Sequence, residues 1–319
     1  MNALTLRAIL AGALLVAAVA DAGVAGTSIP FTEKTKIADV IADPAFGAFG
    51  RLLFPADANY YSGDTLGTLS LTWYNGIRPA RTVEIVRTLR ERAAAGQRIF
   101  FPIWSAEEVA RGPRKADTGL FFFAGKPGAK TAICCAGGGF AYVGAMHDSF
   151  PHALALSKRG YNAFALIYRP GARRACADLA RAIDFLFEHA DELKIDMSGY
   201  SLWGGSAGAR MAAWLGAHGT AAFGLPERPR PAAVIMQYTG LSEVTGTEPP
   251  TYSCVGTADW IAHFGIMKER TRLLREHGID AEIEVFPGLP HGFGIGEGTI
   301  AWGWLDRAVA FWQKHAEKR

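Results

Sequence analysis

One stretch of the chain has the residue types and spacing of a nucleophile carried on a turn. An apolar run ends at Leu202-Trp203, Gly204-Gly205-Ser206-Ala207-Gly208 follows, and a helix-forming segment begins. G-x-S-x-G between a strand and a helix holds a serine hydroxyl clear of the sheet edge. Glycine two residues to either side removes the Cβ that would strike the neighbouring strand or helix. Ser206 is the only serine in the chain with glycine at both of those positions. In a chain with 37 glycines the pentapeptide is also compatible with a plain Gly-rich turn. The residues around it must decide.

A nucleophilic serine needs a base, a group that orients the base, and N–H donors for a developing oxyanion. Ala136-Gly137-Gly138-Gly139-Phe140 directly follows the apolar run Thr131–Cys135. Glycines there let the backbone approach a negative charge and adopt positive φ. Gly138, Gly139 and Ala207 are the candidate donors. A dinucleotide loop is the other reading of three glycines, but the G-x-G-x-x-G spacing is not met and Phe140 fills the space of a phosphate. Among eight histidines, His291 stands in a Gly/Pro loop, Pro287–Gly294, after the last strand-like run and before the last helical one. Loops at the C-terminal ends of strands are where an α/β sheet presents functional groups. His189, His277 and His315 fall in helical segments and read as surface residues. His147 and His152, near the Gly-rich loop, are weaker rivals. Asp259 closes the preceding strand-like run and is the candidate orienting acid, with Glu243 as the fallback. The chain order is then Ser206, Asp259, His291, which suits a serine, acid and base carried on successive strands.

The elements that would position these residues can be read from periodicity. From Arg98 onward, residues 99–104 and 119–124 read as strands able to pair as an antiparallel hairpin. Apolar strand-like runs then alternate with helical segments. Strands are expected at 131–135, 162–168, before the Ser206 turn, and at 232–238, 250–255 and 281–286. Helices are expected at 150–159, 178–193, after Ser206, and at 263–277 and 300–315. Continuous apolar strands alternating with helices imply a mostly parallel central sheet with helices on both faces, an α/β fold. Residues 28–97 precede that rhythm. They are rich in aromatics and turns, hold one clear helix at 82–95, and read as an N-terminal extension with its own small aromatic core and a possible role as a cap. Trp260 and Phe140 read equally well as pocket walls or as packing.

The first residues look like a targeting segment. Arg7 precedes thirteen unbroken apolar residues, 8–20, too few for the ~20 that span a bilayer. Ala18-Val19-Ala20 fits small-residue cleavage, so residues 1–20 are expected to be a signal peptide, with the mature chain periplasmic or secreted and no stable membrane span after cleavage. The organisation is then 1–20 signal peptide, 21–97 extension and 98–319 catalytic domain. A net charge of +3 is too mild to argue for a nucleic-acid partner. Arg169, Arg173 and Arg174 read as a solvated loop. The four cysteines, Cys134, Cys135, Cys176 and Cys254, are expected to be buried free thiols. No spacing of His and Cys suggests a metal, and no cofactor is called for.

Taken together, Cys135–Phe140, Gly160–Arg169, Gly204–Gly208, Gly256–Asp259 and His291–Phe293 resemble the α/β-hydrolase superfamily. They are most similar to the bacterial esterase/lipase branch that includes acetyl-xylan-esterase-like and feruloyl-esterase-like enzymes. The resemblance covers about residues 98–319. It implies the α/β-hydrolase fold and hydrolysis of small or carbohydrate-linked acyl esters through a seryl acyl-enzyme, without a cofactor. Two positions depart from the hormone-sensitive-lipase-like branch, which has His where Ala136 stands and usually Asp where Gly205 stands. An oligopeptidase-like serine peptidase shares the same three side chains, but residues 28–97 are too few for the propeller such enzymes carry. A non-catalytic binding protein on this scaffold is the reading from another class, and a complete set of four parts argues against it.

Overall fold

Eight apolar runs assemble into one sheet because most of them are hydrophobic on both sides and need cover on both faces. The computed structural model describes residues 30–56 and 59–317. The segment read as a signal peptide lies outside the described residues. Two short strands, β1 (Tyr61–Ser62) and β2 (Ser70–Leu71), pair as a small antiparallel ribbon. The main sheet comprises β3 (Phe100–Phe101), β4 (Gly119–Phe123), β5 (Lys130–Cys135), β6 (Asn162–Ile167), β7 (Asp196–Gly205), β8 (Ala233–Gln237), β9 (Thr251–Gly256) and β10 (Ala281–Phe286). Their order across the sheet is β3-β4-β6-β5-β7-β8-β9-β10. β4 runs antiparallel to both β3 and β6, and all other pairs are parallel. Every residue of β6, β8 and β9 is buried, as strands covered on both faces require.

The helices are α1 (Ile37–Ile41), α2 (Pro79–Ala94), α3 (Ala106–Arg111), α4 (Ser149–Lys158), α5 (Ala172–Glu188), α6 (Ala190–Leu193), α7 (Ala207–His218), α8 (Phe264–Glu276) and α9 (Trp304–Ala316). α4 lies on β5 and β6 and meets α9 through His152 and Trp304, with ring centroids 5.6 Å apart. α5 packs against α7, which rests on β7 and β8, and α8 packs on β9 and β10. The expected helix at 178–193 starts earlier, at Ala172, and breaks at His189 before α6. The last helix starts at Trp304 because Gly303, at φ 90°, turns the chain into it.

Two expectations need correction. The aromatics before Arg98 do not form a core of their own. Phe49 stacks on Phe100 of β3, 5.0 Å between centroids, and meets Phe121 of β4 at 5.9 Å. β3 is an edge strand of two residues, so the apolar face at that edge is closed by the extension. Arg169 is not a solvated loop residue either: its guanidinium grips the fully buried Asp178, with Nη2 2.6 Å from Oδ1. Burial alone would raise the Asp178 carboxyl, and Arg169 opposes that. All four cysteines are free and buried, and burial pushes the Cys176 thiol up to about 12.

Candidate active site

Ser206 follows β7 and precedes α7, at φ 52° and ψ −115°. A non-glycine residue in that region is strained, and such strain persists only where the surroundings enforce it. The enforcing contacts are visible. A Cβ on Gly204 would lie 2.3 Å from the Gly208 carbonyl carbon, and one on Gly208 would lie 2.1 Å from the Cys135 oxygen. The Ser206 N–H is tied to the Gln237 carbonyl at 2.9 Å. From Gly199 to Ala209, Ser206 is the only residue that is not buried. The turn therefore delivers one side chain to the C-terminal edge of the sheet.

The glycine loop after β5 lies directly beside it. A Cβ on Gly137 would sit 2.8 Å from the Ser206 Cβ. Gly138, Gly139 and Phe140 have φ of 122°, 61° and 60° in succession, which glycine permits and which turns the peptide planes of the loop. Among the described residues, the N–H groups of Gly138, Gly139 and Ala207 donate to no other group, whereas Gly137 donates to Asp148 Oδ2 at 2.7 Å. The three candidate donors are thus uncommitted.

His291 and Asp259 meet across the loops that follow β10 and β9. His291 Nδ1 donates to Asp259 Oδ2 at 2.8 Å, and both side chains are buried. The other carboxylate oxygen, Oδ1, accepts from the N–H groups of Ile261 and Ala262 at 2.9 and 2.7 Å. The acid is fully engaged, and it fixes which imidazole nitrogen carries the proton, leaving Nε2 as the acceptor of a neutral ring. Tyr238, at the end of β8, packs its ring 4.9 Å from the imidazole. Trp73, Phe140, Ser206 and Tyr238 are four of the five non-glycine residues with positive φ among the described residues, and all four belong to this neighbourhood.

The rival residues have other surroundings. Glu243 is exposed and accepts from the Trp214 indole at 3.3 Å. His147 and His152 are buried, and burial lowers both, His147 to about 3. His189 sits on Glu192, and His315 on Asp280. Both lie at the opposite edge of the sheet, where helices end and strands begin. His315 is buried rather than at the surface as its helical position suggested, because Phe311 packs on its ring at 4.7 Å. Trp260 is 75% exposed, so packing does not account for it.

Four residues at the site, Asp148, Tyr74, Asn75 and Tyr238, went unnoticed in the sequence. Asp148 is buried, and its carboxylate accepts from Gly137 N–H at 2.7 Å, Tyr74 O–H at 2.9 Å and Tyr238 O–H at 2.9 Å. Burial first, and the Asp148 charge second, hold both phenols far above their usual pKa, so they remain donors. The same carboxylate explains Gly205, where a Cβ would come within 2.4 Å of Asp148 Oδ2. From the extension, Asn75 donates its Nδ2 to the His291 carbonyl at 3.0 Å and its N–H to the Gly292 carbonyl at 3.3 Å. Nothing local marks these residues. An aspartate between two histidines reads as a surface turn until the topology buries it. Among the described residues, no group of three or more His, Cys, Asp or Glu could hold a metal ion, and no helix is long and apolar enough to cross a membrane.

With that geometry in place, comparison with known proteins is informative. Residues 124–229, which contain the glycine loop and the Ser206 turn, match the model of the BD-FAE family, a hydrolase family. No curated protein matches the sequence significantly. Among solved structures, esterase Est2 of the planctomycete Thermogutta terrifontis with propionate bound is 23% identical, with a TM-score of 0.57 over 67% of this chain and 93% of that one. The α/β-hydrolase enzyme MGS-M1 from a Medee basin deep-sea metagenome is 20% identical, with a TM-score of 0.55 over 63% and 93%. The acetyl ester-xyloside bifunctional hydrolase of Caldicellulosiruptor lactoaceticus is 21% identical, with a TM-score of 0.59 over 67% and 95%. The fold is that of the α/β-hydrolases. The match of residues 124–229, which include the Ser206 turn, to a hydrolase family agrees with that fold.

Proposed function

We propose that the protein is an exported serine carboxylesterase that hydrolyses small or carbohydrate-linked acyl esters. The observation that carries this reading is that a strained, half-buried Ser206 lies beside the glycine loop with its free N–H groups, while His291 and Asp259 are hydrogen-bonded to each other in the loops after β10 and β9. Ser206 Oγ attacks the ester carbonyl while His291 Nε2 takes its proton. The oxyanion of the tetrahedral intermediate is received by the three N–H groups. Collapse breaks the bond to the alcohol oxygen, which leaves with the proton from His291. Water, deprotonated by the same imidazole, then attacks the acyl carbonyl; the bond to Ser206 Oγ breaks, His291 returns the proton to Oγ, and the acid leaves. Asp259 keeps the ring oriented and stabilises its cation in each half-reaction. Small acyl groups fit the propionate-bound state of the Thermogutta esterase, and a sugar-linked ester fits the acetyl ester-xyloside activity of the Caldicellulosiruptor enzyme. Export rests on residues 1–20 of the sequence.

The test is hydrolysis of p-nitrophenyl acetate, butyrate and decanoate by the wild type and by Ser206→Ala, with a fluorophosphonate as a covalent probe. The wild type is expected to turn over the shorter esters and to gain one adduct on Ser206. Ser206→Ala should lose turnover by roughly 10³-fold or more and gain no adduct. Turnover unchanged in the variant would overturn the assignment.

A further inference from the structure

The segment Trp73–Arg81 lies outside the matched hydrolase region, yet its contacts converge on the two loops that bear the proposed machinery. We infer that it is a clasp: Tyr74 and Asn75 are positioning residues that hold the oxyanion loop and the histidine loop in catalytic register. The inference rests on the esterase reading and deepens it.

Tyr74 is enclosed by both loops. Its hydroxyl donates to Asp148, whose same oxygen receives the Gly137 N–H. That shared acceptor couples the extension to the first residue of the glycine loop. A Cβ added at Gly137 or Gly144 would strike the Tyr74 ring or hydroxyl at 2.6 Å, so no slack separates them. On the other side, Gly292, the residue after His291, has φ 71° and lies so close to the segment that a Cβ would sit 2.7 Å from the Trp73 carbonyl oxygen and 2.9 Å from the Tyr74 Cα. Asn75 adds two hydrogen bonds to the backbone of His291 and Gly292. Farther along the same loop, Arg78 donates to the Glu297 carbonyl from Nε and Nη2, at 3.1 and 2.8 Å, and Arg81 pairs with the Glu297 carboxylate at 3.1 Å. Trp73 itself is held at φ 72°, a conformation its neighbours must enforce.

The chemistry explains why such a clasp is needed. The imidazole must meet Ser206 while the oxyanion donors face the same carbon, and these groups come from loops after β10 and β5, with three strands between them in the sheet. Asp259 orients the ring of His291 but not its main chain. Asn75 fixes the main chain. Asp148 withdraws the Gly137 N–H, which leaves those of Gly138 and Gly139 for the oxyanion.

The experiment compares Asn75→Ala, Asn75→Asp and Tyr74→Phe with the wild type. It measures kcat and KM for p-nitrophenyl acetate, the fraction of chains labelled by a fluorophosphonate, and the thermal midpoint. The clasp predicts that kcat per labelled site falls about 10-fold in Asn75→Ala and Tyr74→Phe at nearly constant KM, with labelling still near one per chain. Asn75→Asp, which sets a carboxylate against the His291 carbonyl, should fall further. A merely structural role would lower the midpoint or the labelled fraction and leave kcat per labelled site unchanged, and that result would overturn the clasp. A wild type that neither turns over esters nor takes the label would overturn the esterase reading itself and the clasp with it. Wild-type activity with unaffected variants would overturn the clasp alone.

Discussion

The two sides of the site differ in how they are held. Behind the glycine loop and His291, Asp148, Tyr74 and Tyr238 form a buried hydrogen-bonded layer, and the exposed Asn75 ties its rim to the His291 main chain. Beyond Asp259 the loop does the opposite. Once the carboxylate has its three donors, the chain turns Trp260 and Ile261 out to solvent, 75% and 41% exposed. All of the exposed large hydrophobic side chains among the described residues lie at 260–266 or 300–302, on or next to the loops that carry Asp259 and His291. Groups that must not move during a reaction are worth burying, because buried polar networks with every partner present fix a single geometry. Side chains that meet a substrate gain by being exposed before it arrives. The comparison predicts that substitutions on the braced side change turnover and stability, and that those on the open side change substrate preference alone.

Among substitutions that test this contrast, the largest effect is expected at Gly205. A methyl group there would enter the Asp148 carboxylate at 2.4 Å, a side chain already pinned by three hydrogen bonds. Gly205→Ala should cost about 1–3 kcal/mol of stability, the usual range for overpacking, and displace Asp148 from Gly137. Urea denaturation and kcat on p-nitrophenyl acetate would show both losses. Combining it with Asp148→Ala, which empties the space, should cost less than the sum of the single changes. Additive losses would mean that the two residues do not share one rigid layer, and the contrast between the sides would fail.

A second consequence concerns acid. His147 and His152 lie on the braced side and are buried, and burial lowers both, His147 to about 3. The unfolded chain binds protons on these rings near ~6.5, while the folded one refuses them until far lower pH. The His147 contribution is therefore complete above about pH 6.5 and is lost as pH falls toward about 3, and that of His152 is lost in the same direction. Urea midpoints at pH 7, 5 and 4 should fall steadily, and His147→Gln should fall less steeply than the wild type. Equal slopes would show that the ring at 147 is open to water, and hence that this side is not sealed.

How far the sequence foretold this molecule follows the same division. The strand–helix rhythm after Arg98 and the Ser206 turn were legible because each depends on local spacing: apolar periodicity for the elements, and glycines at −2 and +2 for a turn whose steric limits are backbone limits. His291 and Asp259 were legible from their positions after successive strands, and the structure joins them at 2.8 Å. The braced layer was not legible. Asp148 gains its role only when Tyr74 and Tyr238, 74 and 90 residues away in the chain, are folded against it. Asn75 lies 216 residues from His291. The extension's aromatics misled for the same reason, since nothing local distinguishes Phe49 in a core of its own from Phe49 stacked on an edge strand. The departure at Gly205 was visible, but its cause, a carboxylate occupying that space, was not.

The smallest expected effect tests the open side. Trp260 follows the acid in the chain and exposes an indole face that packing does not use. Replacing an exposed side chain with no buried contacts should alter stability by less than about 0.5 kcal/mol. If the indole receives a sugar ring, Trp260→Ala should raise KM for an acetylated xylo-oligosaccharide by roughly 3- to 10-fold, the scale of one stacking contact, and leave p-nitrophenyl acetate unaffected. The informative quantity is the ratio of the two kcat/KM changes within one protein preparation. A parallel loss on both substrates would mean that Trp260 acts through Asp259, which would make the open side part of the braced one. No loss on either would assign the exposed face to something other than the sugar.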